Sequence, residues 1–169
     1  MPGTPIKSSA LDELQRQLNY ELGAAHAYQA LAVWCKDRHF HGFASFFQKQ
    51  VIEERAHAQK IIDHLLDRGA LPELGAISAP KGRFDTLLDV AKQAQTMEQA
   101  NTAGIHAAYG AAVKEGDLPA QVLLHWFINE QVEEEAWTDE MVERTERAGC
   151  SGGLSDLDRH IERYLTSDT

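Results

Sequence analysis

Charged residues interrupt the apolar face of each of four predicted helices. In the second of these helices, Glu54 and His57 lie three residues apart, so both side chains project from one face. Phe43, Phe47 and Ile61 recur on the same line with the spacing of a buried seam. Because an ionised carboxylate in a core is costly unless it is paired or binds a metal ion, this helix needs partners from elsewhere in the chain.

The periodicity predicts four long helices, over about residues 8–37, 42–68, 84–114 and 119–147. Ser8 or Ser9 can cap the first helix, Gly69 can end the second, and Pro119 fits the first turn of the fourth. After the flexible stretch 151–153, a short amphipathic helix is predicted over about residues 154–165. We therefore expect an all-α fold in one domain, residues 1–169, with the bundle over about 8–147.

The segment between the second and third helices is rich in glycine and proline and has no helical period. About 14 extended residues at ~3.3 Å each span ~46 Å. A helix of about 27 residues is ~40 Å long. The segment can therefore run the full length of a bundle, which predicts a four-helix bundle with a long crossover between helices 2 and 3.

The polar interruptions fall at similar depths in the four helices. Each lies about 12 to 16 residues from the predicted start of its helix, at Glu21, Glu54, Glu98 and the pair Gln131/Glu134. In a bundle of parallel and antiparallel helices these positions share one level, which indicates a common cation. Many oxygen ligands with a single imidazole suit iron or manganese better than zinc.

Four stretches carry a resemblance to the non-haem ferritins over about residues 8–165. They are LNYELGAAHAY around Glu21, EERAH at 53–57, QTMEQ around Glu98, and WFINEQVEEE at 126–135. The resemblance implies a ferritin-like bundle with a di-iron centre. In that centre Glu21, Glu54 and His57 would bind one iron, and Glu54 would bridge to a second iron held by Glu98. Gln131 would face the centre from the fourth helix.

The fourth helix has Gln131-x-x-Glu134 in place of the second Glu-x-x-His of the general di-iron pattern. This departure favours ferritin over bacterioferritin and over the oxygenase-type relatives. Arg55 stands where bacterioferritins carry the methionine that ligates haem, so no haem is expected. The resemblance also implies a third iron site formed by Glu53, Glu130, Glu133 and Glu134.

Tyr28 and Trp126 match family aromatic residues beside the centre that are often viewed as electron donors, although both could simply pack in the core. The implied function is oxidation of Fe²⁺ by O₂ or H₂O₂ and storage as ferric mineral in a shell of twenty-four copies of the chain. In that shell the 154–165 helix would pack at the four-fold axes.

Two alternatives to a ferroxidase remain open. One is a di-iron or di-manganese peroxidase or oxidase of the rubrerythrin type, disfavoured because the chain has no CxxC pair and no second Glu-x-x-His. The other is a non-catalytic shell subunit, disfavoured because such subunits lack the ligands present here.

Composition restricts the partners and the compartment. The formal net charge of −10 argues against a nucleic-acid partner, and no stretch has the apolar length of a membrane span. Cys35 and Cys150 form no disulfide framework, and the first residues lack the apolar run of a signal peptide. We therefore expect a cytoplasmic protein with reduced thiols and no membrane partner.

Overall fold

The computed structural model describes residues 9–166, and every regular element in that range is a helix. The helices are α1 (Ser9–Asp37), α2 (His41–Asp67), α3 (Leu87–Glu115), α4 (Leu118–Ala148) and α5 (Ser151–Leu165). Helix α1 packs on α2 and α3, α3 packs on α4, and α5 packs on α2 and α4. The predicted all-α bundle with a short C-terminal helix is confirmed. That residues 1–169 form one domain stays a prediction, and the possible cap Ser8 lies outside the described residues.

Local chemistry sets where the central helices begin and end. Helix α2 ends before Gly69, which has the left-handed φ of 73° expected of a helix stop. Thr86 caps α3, and its side chain and that of Asp89 satisfy each other's backbone N–H groups in a capping box. Helix α3 therefore begins at Leu87 and not near residue 84. Asp117 caps α4 by accepting a hydrogen bond from the Ala120 N–H at 3.1 Å.

The crossover between α2 and α3 runs along α1, as its length predicted. In the first half of α1, the Asn19 side chain donates to the Glu73 carbonyl at 2.9 Å and accepts from the Gly75 N–H at 2.7 Å. Near the end of α1, the Trp34 indole donates to the Phe84 carbonyl at 3.1 Å. The crossover therefore joins the two helix pairs along the surface of the bundle, and Phe84 near its end enters the core.

The buried apolar residues form two clusters with a polar level between them. One cluster includes Tyr28, Phe47 and Trp137, and it extends under α5. The other lies toward the opposite end of the bundle and includes Ile61 and Phe127. On each long helix the buried glutamates fall in the interval between the two clusters, and so do His57, Asn101 and Gln131. None of the helices formed by residues 9–166 combines the length and apolar character that crossing a bilayer requires.

Helix α5 begins three residues earlier than the sequence predicted. Residues 151–153, expected to be flexible, form its first turn, and the Cys150 sulfur accepts from the Gly153 N–H at 3.5 Å. A Cβ on Gly153 would lie 2.3 Å from the Ala148 carbonyl oxygen. Glycine is unfavourable within a helix, but at residue 153 it allows α5 to turn closely against the end of α4.

Helix α5 is joined to the start of α2 by polar contacts. The Asp158 carboxylate accepts a hydrogen bond from the Phe43 N–H at 2.9 Å, which satisfies one of the free donors of the first turn of α2. Glu162 accepts from the Ser45 hydroxyl at 2.8 Å and from Lys49 at 3.0 Å. The approach is close at Gly42, where a Cβ would lie 1.8 Å from the Asp158 carbonyl oxygen.

We expect Gly42→Ala to destabilise the protein by about 2–3 kcal/mol, because the obstructing atom is backbone and α5 must move away. Thermal unfolding measures the effect. The matched control is Gly110→Ala in α3, where a Cβ would meet nothing within 4 Å and helix propensity predicts a gain of about 0.5–1 kcal/mol. Equal melting temperatures for the two variants would contradict this description of the contact between α2 and α5.

Candidate metal centre

Three buried side chains from α1 and α2 bring their ligand atoms together. One ligand atom each from Glu21, Glu54 and His57 lies within 4.8 Å of the other two. Among residues 9–166, no other group of three or more His, Cys, Asp or Glu side chains comes this close together. The His57 Nδ1 atom lies 3.4 Å from Glu54 Oε2 and 3.9 Å from Glu21 Oε2. The i, i+3 spacing on α2 places the Glu54 and His57 side chains on one face, as predicted.

Several atoms of this group that could bind a metal ion lack the hydrogen bonds that buried polar atoms nearly always make. Both carboxylate oxygens of Glu54 and the Nδ1 of His57 are buried, and no N–H or hydroxyl group among residues 9–166 donates to them. The hydrogen bond that Glu54 can make with Glu21 requires a proton shared between the two carboxyls. Buried polar atoms in folded proteins are nearly always hydrogen-bonded, because leaving one unpaired costs its lost hydration. Two oxygens and one imidazole nitrogen with free lone pairs are the donor set that a divalent first-row metal ion takes.

Glu98 enters the same polar level from α3. It is fully buried, its Oε1 accepts from the Tyr28 hydroxyl, and its Oε2 accepts from the Gln131 Nε2 at 3.2 Å. Its charge acts on Glu54 and helps to raise the pKa of that carboxyl. Glu98 therefore faces the Glu21/Glu54/His57 group from α3 without belonging to that tight cluster.

Burial dominates the electrostatics of the centre. It raises the pKa of Glu21, Glu54 and Glu134 well above the ordinary value of 4.5, and it also raises that of Glu98. At Glu54, the negative charges of Glu98, Glu134 and Glu53 add to the effect of burial. Without a cation, these carboxyl groups therefore hold protons at pH values where exposed glutamates are ionised. A bound cation would replace those protons and stabilise the carboxylates.

Two amide side chains that we did not predict complete the surroundings of Glu21. The Gln17 Nε2 donates to Glu21 Oε1 at 2.7 Å and also to the Asn101 Oδ1, and the Asn101 Nδ2 lies 3.4 Å from Glu21 Oε2. Both amides are fully or almost fully buried. Their sequence signal is spacing, since Gln17 lies four residues before Glu21 and Asn101 lies three residues after Glu98. Such neutral donors orient ligand carboxylates without adding charge.

The four glutamates of the predicted third iron site are not gathered in one cluster. Glu134 is buried and accepts from the Trp137 indole, Glu130 is half-buried, and Glu53 and Glu133 are exposed. The Gln50 amide donates to Glu53 at 2.7 Å. Among residues 9–166, no three of these four carboxylates meet the 4.8 Å distance found at Glu21, Glu54 and His57. The third site stays a prediction.

The two predicted aromatic residues occupy different surroundings. Tyr28 is fully buried and hydrogen-bonded to Glu98, so it touches the centre through a carboxylate. Trp126 is half-buried and lies edge-on to the His57 ring, with 5.4 Å between ring centroids and 80° between the planes. Tyr28 therefore contacts the centre at Glu98, and Trp126 contacts it at His57.

Comparison with known proteins agrees with this architecture. The family model described as "Ferritin-like domain" matches residues 11–148. A bacterial non-heme ferritin of Staphylococcus aureus is 39% identical over 144 residues, which cover 85% of this chain and 87% of the relative. A bacterial non-heme ferritin of Staphylococcus saprophyticus is 38% identical over 144 residues, covering 85% of this chain and 86% of the relative.

Solved structures give the same result. An open pore ferritin from the archaeon Archaeoglobus fulgidus superposes with a TM-score of 0.88 at 29% identity, over 97% of this chain and 99% of that one. A closed form of the same ferritin, engineered by mutagenesis, also has a TM-score of 0.88 at 29% identity, over 97% of this chain and 98% of that one. The predicted resemblance is therefore confirmed, and this chain belongs to the ferritin family.

Proposed function

We propose that this protein is a ferroxidase that also stores the iron it oxidises. The main support is that the carboxylate oxygens of Glu54 and the Nδ1 of His57 are buried and available to bind a metal ion. Buried, unpaired oxygens and an imidazole nitrogen are stabilised when Fe²⁺ enters as substrate. Membership of the ferritin family supports iron storage and ferroxidase-type activity in general. The specific reaction and its residues are our proposal.

In this proposal the centre takes two Fe²⁺ ions. Glu21 and His57 bind the first ion, Glu98 binds the second, and Glu54 lies between the two. Gln131 holds Glu98 by hydrogen bonding. Hard anionic oxygen ligands stabilise Fe³⁺ more than Fe²⁺ and so favour oxidation. The carboxylates of this chain thereby lower the free energy of the product relative to that of the substrate.

The electrons balance for either oxidant. Each Fe²⁺ gives up one electron, and one O₂ takes both electrons with two protons to form H₂O₂. Alternatively, one H₂O₂ takes both electrons with two protons to form two water molecules. In both cases two Fe³⁺ ions leave the centre. We propose that Glu53, Glu130, Glu133 and Glu134 bind a further iron on its way to the mineral.

Storage requires an assembly, because one bundle encloses no cavity of mineral size. The Archaeoglobus relatives are described as an open pore ferritin and an engineered closed form. We propose that this chain assembles with copies of itself into a hollow shell of twenty-four subunits. Light scattering coupled to size exclusion measures the mass: a very large particle supports the shell, and a dimer would instead favour an enzyme of the rubrerythrin type.

Fe²⁺ oxidation tests the ferroxidase directly. Metal-free protein is mixed with Fe²⁺ in air and the ferric product is followed by absorbance. We expect the wild-type protein to oxidise iron much faster than buffer does, and we expect the Glu54→Ala/His57→Ala variant to oxidise it at the uncatalysed rate, because the free donor atoms are gone.

The matched control makes the same two changes on the surface, at Glu73→Ala/His26→Ala, and should keep the wild-type rate. If the wild-type protein and the variant of the centre both oxidise iron at the uncatalysed rate, the centre is wrongly assigned.

A further inference from the structure

Three buried side-chain amides, each from a different helix, form a chain across the polar level of the bundle. They are Gln17 on α1, Asn101 on α3 and Gln131 on α4, and none of them is more than 3% exposed. The Gln17 Nε2 donates to the Asn101 Oδ1, and the Asn101 Nδ2 lies 3.5 Å from the Gln131 Oε1. Asn101 therefore accepts from the amide before it and faces the oxygen of the amide after it with its own N–H.

Both ends of the amide chain contact carboxylates of the proposed iron centre. At one end, the Gln17 Nε2 also donates to Glu21 Oε1 at 2.7 Å. At the other end, the Gln131 Nε2 donates to Glu98 Oε2 at 3.2 Å. In the middle, the Asn101 Nδ2 lies 3.4 Å from Glu21 Oε2. Because Glu21 is assigned to the first proposed ion and Glu98 to the second, one amide chain contacts a ligand of each.

The orientation of the Gln131 amide is set by groups on its far side. Its Nε2 faces the Glu98 carbonyl oxygen at 3.3 Å and the Thr102 hydroxyl at 3.1 Å, in addition to the Glu98 carboxylate. With three oxygens around the nitrogen, the Gln131 Oε1 points toward Asn101 and needs a donor there. A side chain without an N–H at position 101 would leave this buried oxygen unpaired, which is unfavourable.

The Gln17 amide is oriented at the expense of its own oxygen. The Gln17 Oε1 is buried and has no hydrogen-bond partner among residues 9–166. It lies close to Gly104 on α3, where a Cβ would come within 2.9 Å of it. Because an unpaired buried oxygen is unfavourable, the hydrogen bonds of Nε2 to Glu21 and Asn101 must outweigh that cost. These two contacts therefore decide which way the amide points.

The three amides have a common direction, which makes the chain more than a set of separate contacts. Hydrogen bonds arranged head to tail polarise one another, so each link strengthens the next. Asn101 lies in the middle, with one amide on either side of it. Burial raises the pKa of Glu98, and Asn101 is among the hydrogen-bond donors that oppose the rise. The effect of Asn101 thus extends beyond Glu21 to the carboxylate on its own helix.

We propose that Asn101 is a positioning residue that sets the direction of the amide chain and thereby holds Glu21 and Glu98 in place for the two metal ions together. In this role Asn101 acts through the carboxylates and touches no metal ion. Loss of its amide releases both ends of the chain, so both ions lose a fixed ligand. The inference rests on the two-ion centre of the proposed function, but it does not depend on oxidation.

Anaerobic binding of Co²⁺ tests the inference on the full-length protein, because Co²⁺ accepts the same ligands as Fe²⁺ and is not oxidised in the assay. Calorimetry measures the affinity of each of two ions per chain, and visible absorption reports the ligand geometry around them. The signal that is lost in Glu54→Ala/His57→Ala identifies binding at the centre. We expect Asn101→Leu to weaken the binding of both ions by about tenfold each and to shift the absorption band, because neither carboxylate is held.

Further variants separate positioning from general destabilisation. Asn101→Ala removes the same amide without adding bulk and has the same expected result, so it serves if leucine prevents folding. Ile105→Ala creates a cavity in the apolar cluster one turn further along α3, so it should lower the melting temperature and keep the wild-type Co²⁺ affinities and band. Asn129→Leu, at an exposed asparagine on α4, is the matched control and should behave as wild type.

Several results would overturn the inference. Wild-type affinity for both ions in the folded Asn101 variants is one. Weakening of a single ion is another, because Asn101 would then serve one carboxylate only. Equal weakening in Ile105→Ala would make the effect of Asn101 a general loss of stability.

The Co²⁺ measurements also keep the inference distinct from the ferroxidase proposal. If the wild-type protein binds two Co²⁺ ions but oxidises Fe²⁺ at the uncatalysed rate, the ferroxidase proposal fails, and the Co²⁺ affinities of the variants still decide the role of Asn101. A wild-type protein that binds fewer than two Co²⁺ ions at the centre would overturn the inference together with the two-ion centre.

Discussion

Glu54→Gln is expected to abolish rapid Fe²⁺ oxidation and, in the same protein, to stabilise the metal-free state. The amide cannot bridge two ions as a carboxylate does, so we expect the rate to fall by at least about 100-fold. The stability gain follows from burial, because Glu54 is fully buried and both of its oxygens lack hydrogen-bond partners among residues 9–166. Glutamine is neutral at every pH, so the variant neither buries a charge nor has to keep a carboxyl protonated.

The gain should be largest at alkaline pH. At pH 8 the wild-type protein must either keep Glu54 protonated, far above the ordinary pKa of 4.5, or bury its charge. Removing that cost is worth on the order of 2 kcal/mol, which corresponds to a rise in Tm of about 4–8 °C. At pH 5 the difference between the two proteins should be much smaller, because the carboxyl then holds its proton at little cost.

Calorimetry with a chelator at both pH values measures the stability, and the aerobic Fe²⁺ assay measures the function. Glu73→Gln, an exposed glutamate in the crossover, is the matched control and should change neither quantity. A Glu54→Gln protein that melts below the wild type at both pH values would show that Glu54 stabilises the metal-free fold.

Metal-free wild-type protein is expected to lose stability as the pH rises from about 5 to 8. Burial raises the pKa values of Glu21, Glu54, Glu98 and Glu134 in the folded state above the ordinary 4.5. Between the ordinary pKa and the folded pKa, the folded protein binds more protons than the unfolded chain does. Stability therefore falls with rising pH, by up to about 1.4 kcal/mol per unit for each such carboxyl.

A redox-inert cation should remove this dependence. Zn²⁺ replaces the protons on the carboxylates, so the zinc-loaded protein is expected to be most stabilised, relative to the metal-free protein, at pH 8. Asp89, Glu162 and His64 have lowered pKa values and act in the opposite sense. The two carboxylates do so only below their ordinary values, and the single His64 does so only below 6.5, so the four buried glutamates outnumber it. The measurement is Tm against pH with chelator and with Zn²⁺. Metal-free stability that increases steadily from pH 5 to 8 would contradict the assignment of protonated carboxyls to the core.

The sequence predicted the central level of the bundle because helix geometry is regular. Once the helices and the crossover were placed, equal depth along each helix was enough to bring Glu21, Glu54 and Glu98 to the same region. Gln17 and Asn101 were not predicted, because one amide on a helix does not indicate whether it is buried; only the folded neighbours do. Their position one turn from a ligand is the signal that would have found them.

Two other features depart from what the local pattern predicts. The glycines at 152 and 153 indicate a flexible stretch by propensity, yet they form the first turn of α5, where Gly153 lies close to the Ala148 carbonyl. Two of the four carboxylates of the predicted third site, Glu53 and Glu133, are exposed, and long exposed side chains take positions that depend on what they bind. The buried ligands, by contrast, are held by packing, and their grouping follows from the backbone.

The crossover also has a consequence for how the chain divides. It separates the polypeptide into two helical hairpins, and the division passes through the metal centre. The N-terminal hairpin alone carries the three-donor group of Glu21, Glu54 and His57, whereas Glu98 and Gln131 belong to the C-terminal hairpin. Two metal ions bound at the centre would thus act as a second, non-covalent link between two hairpins whose only covalent connection is the crossover.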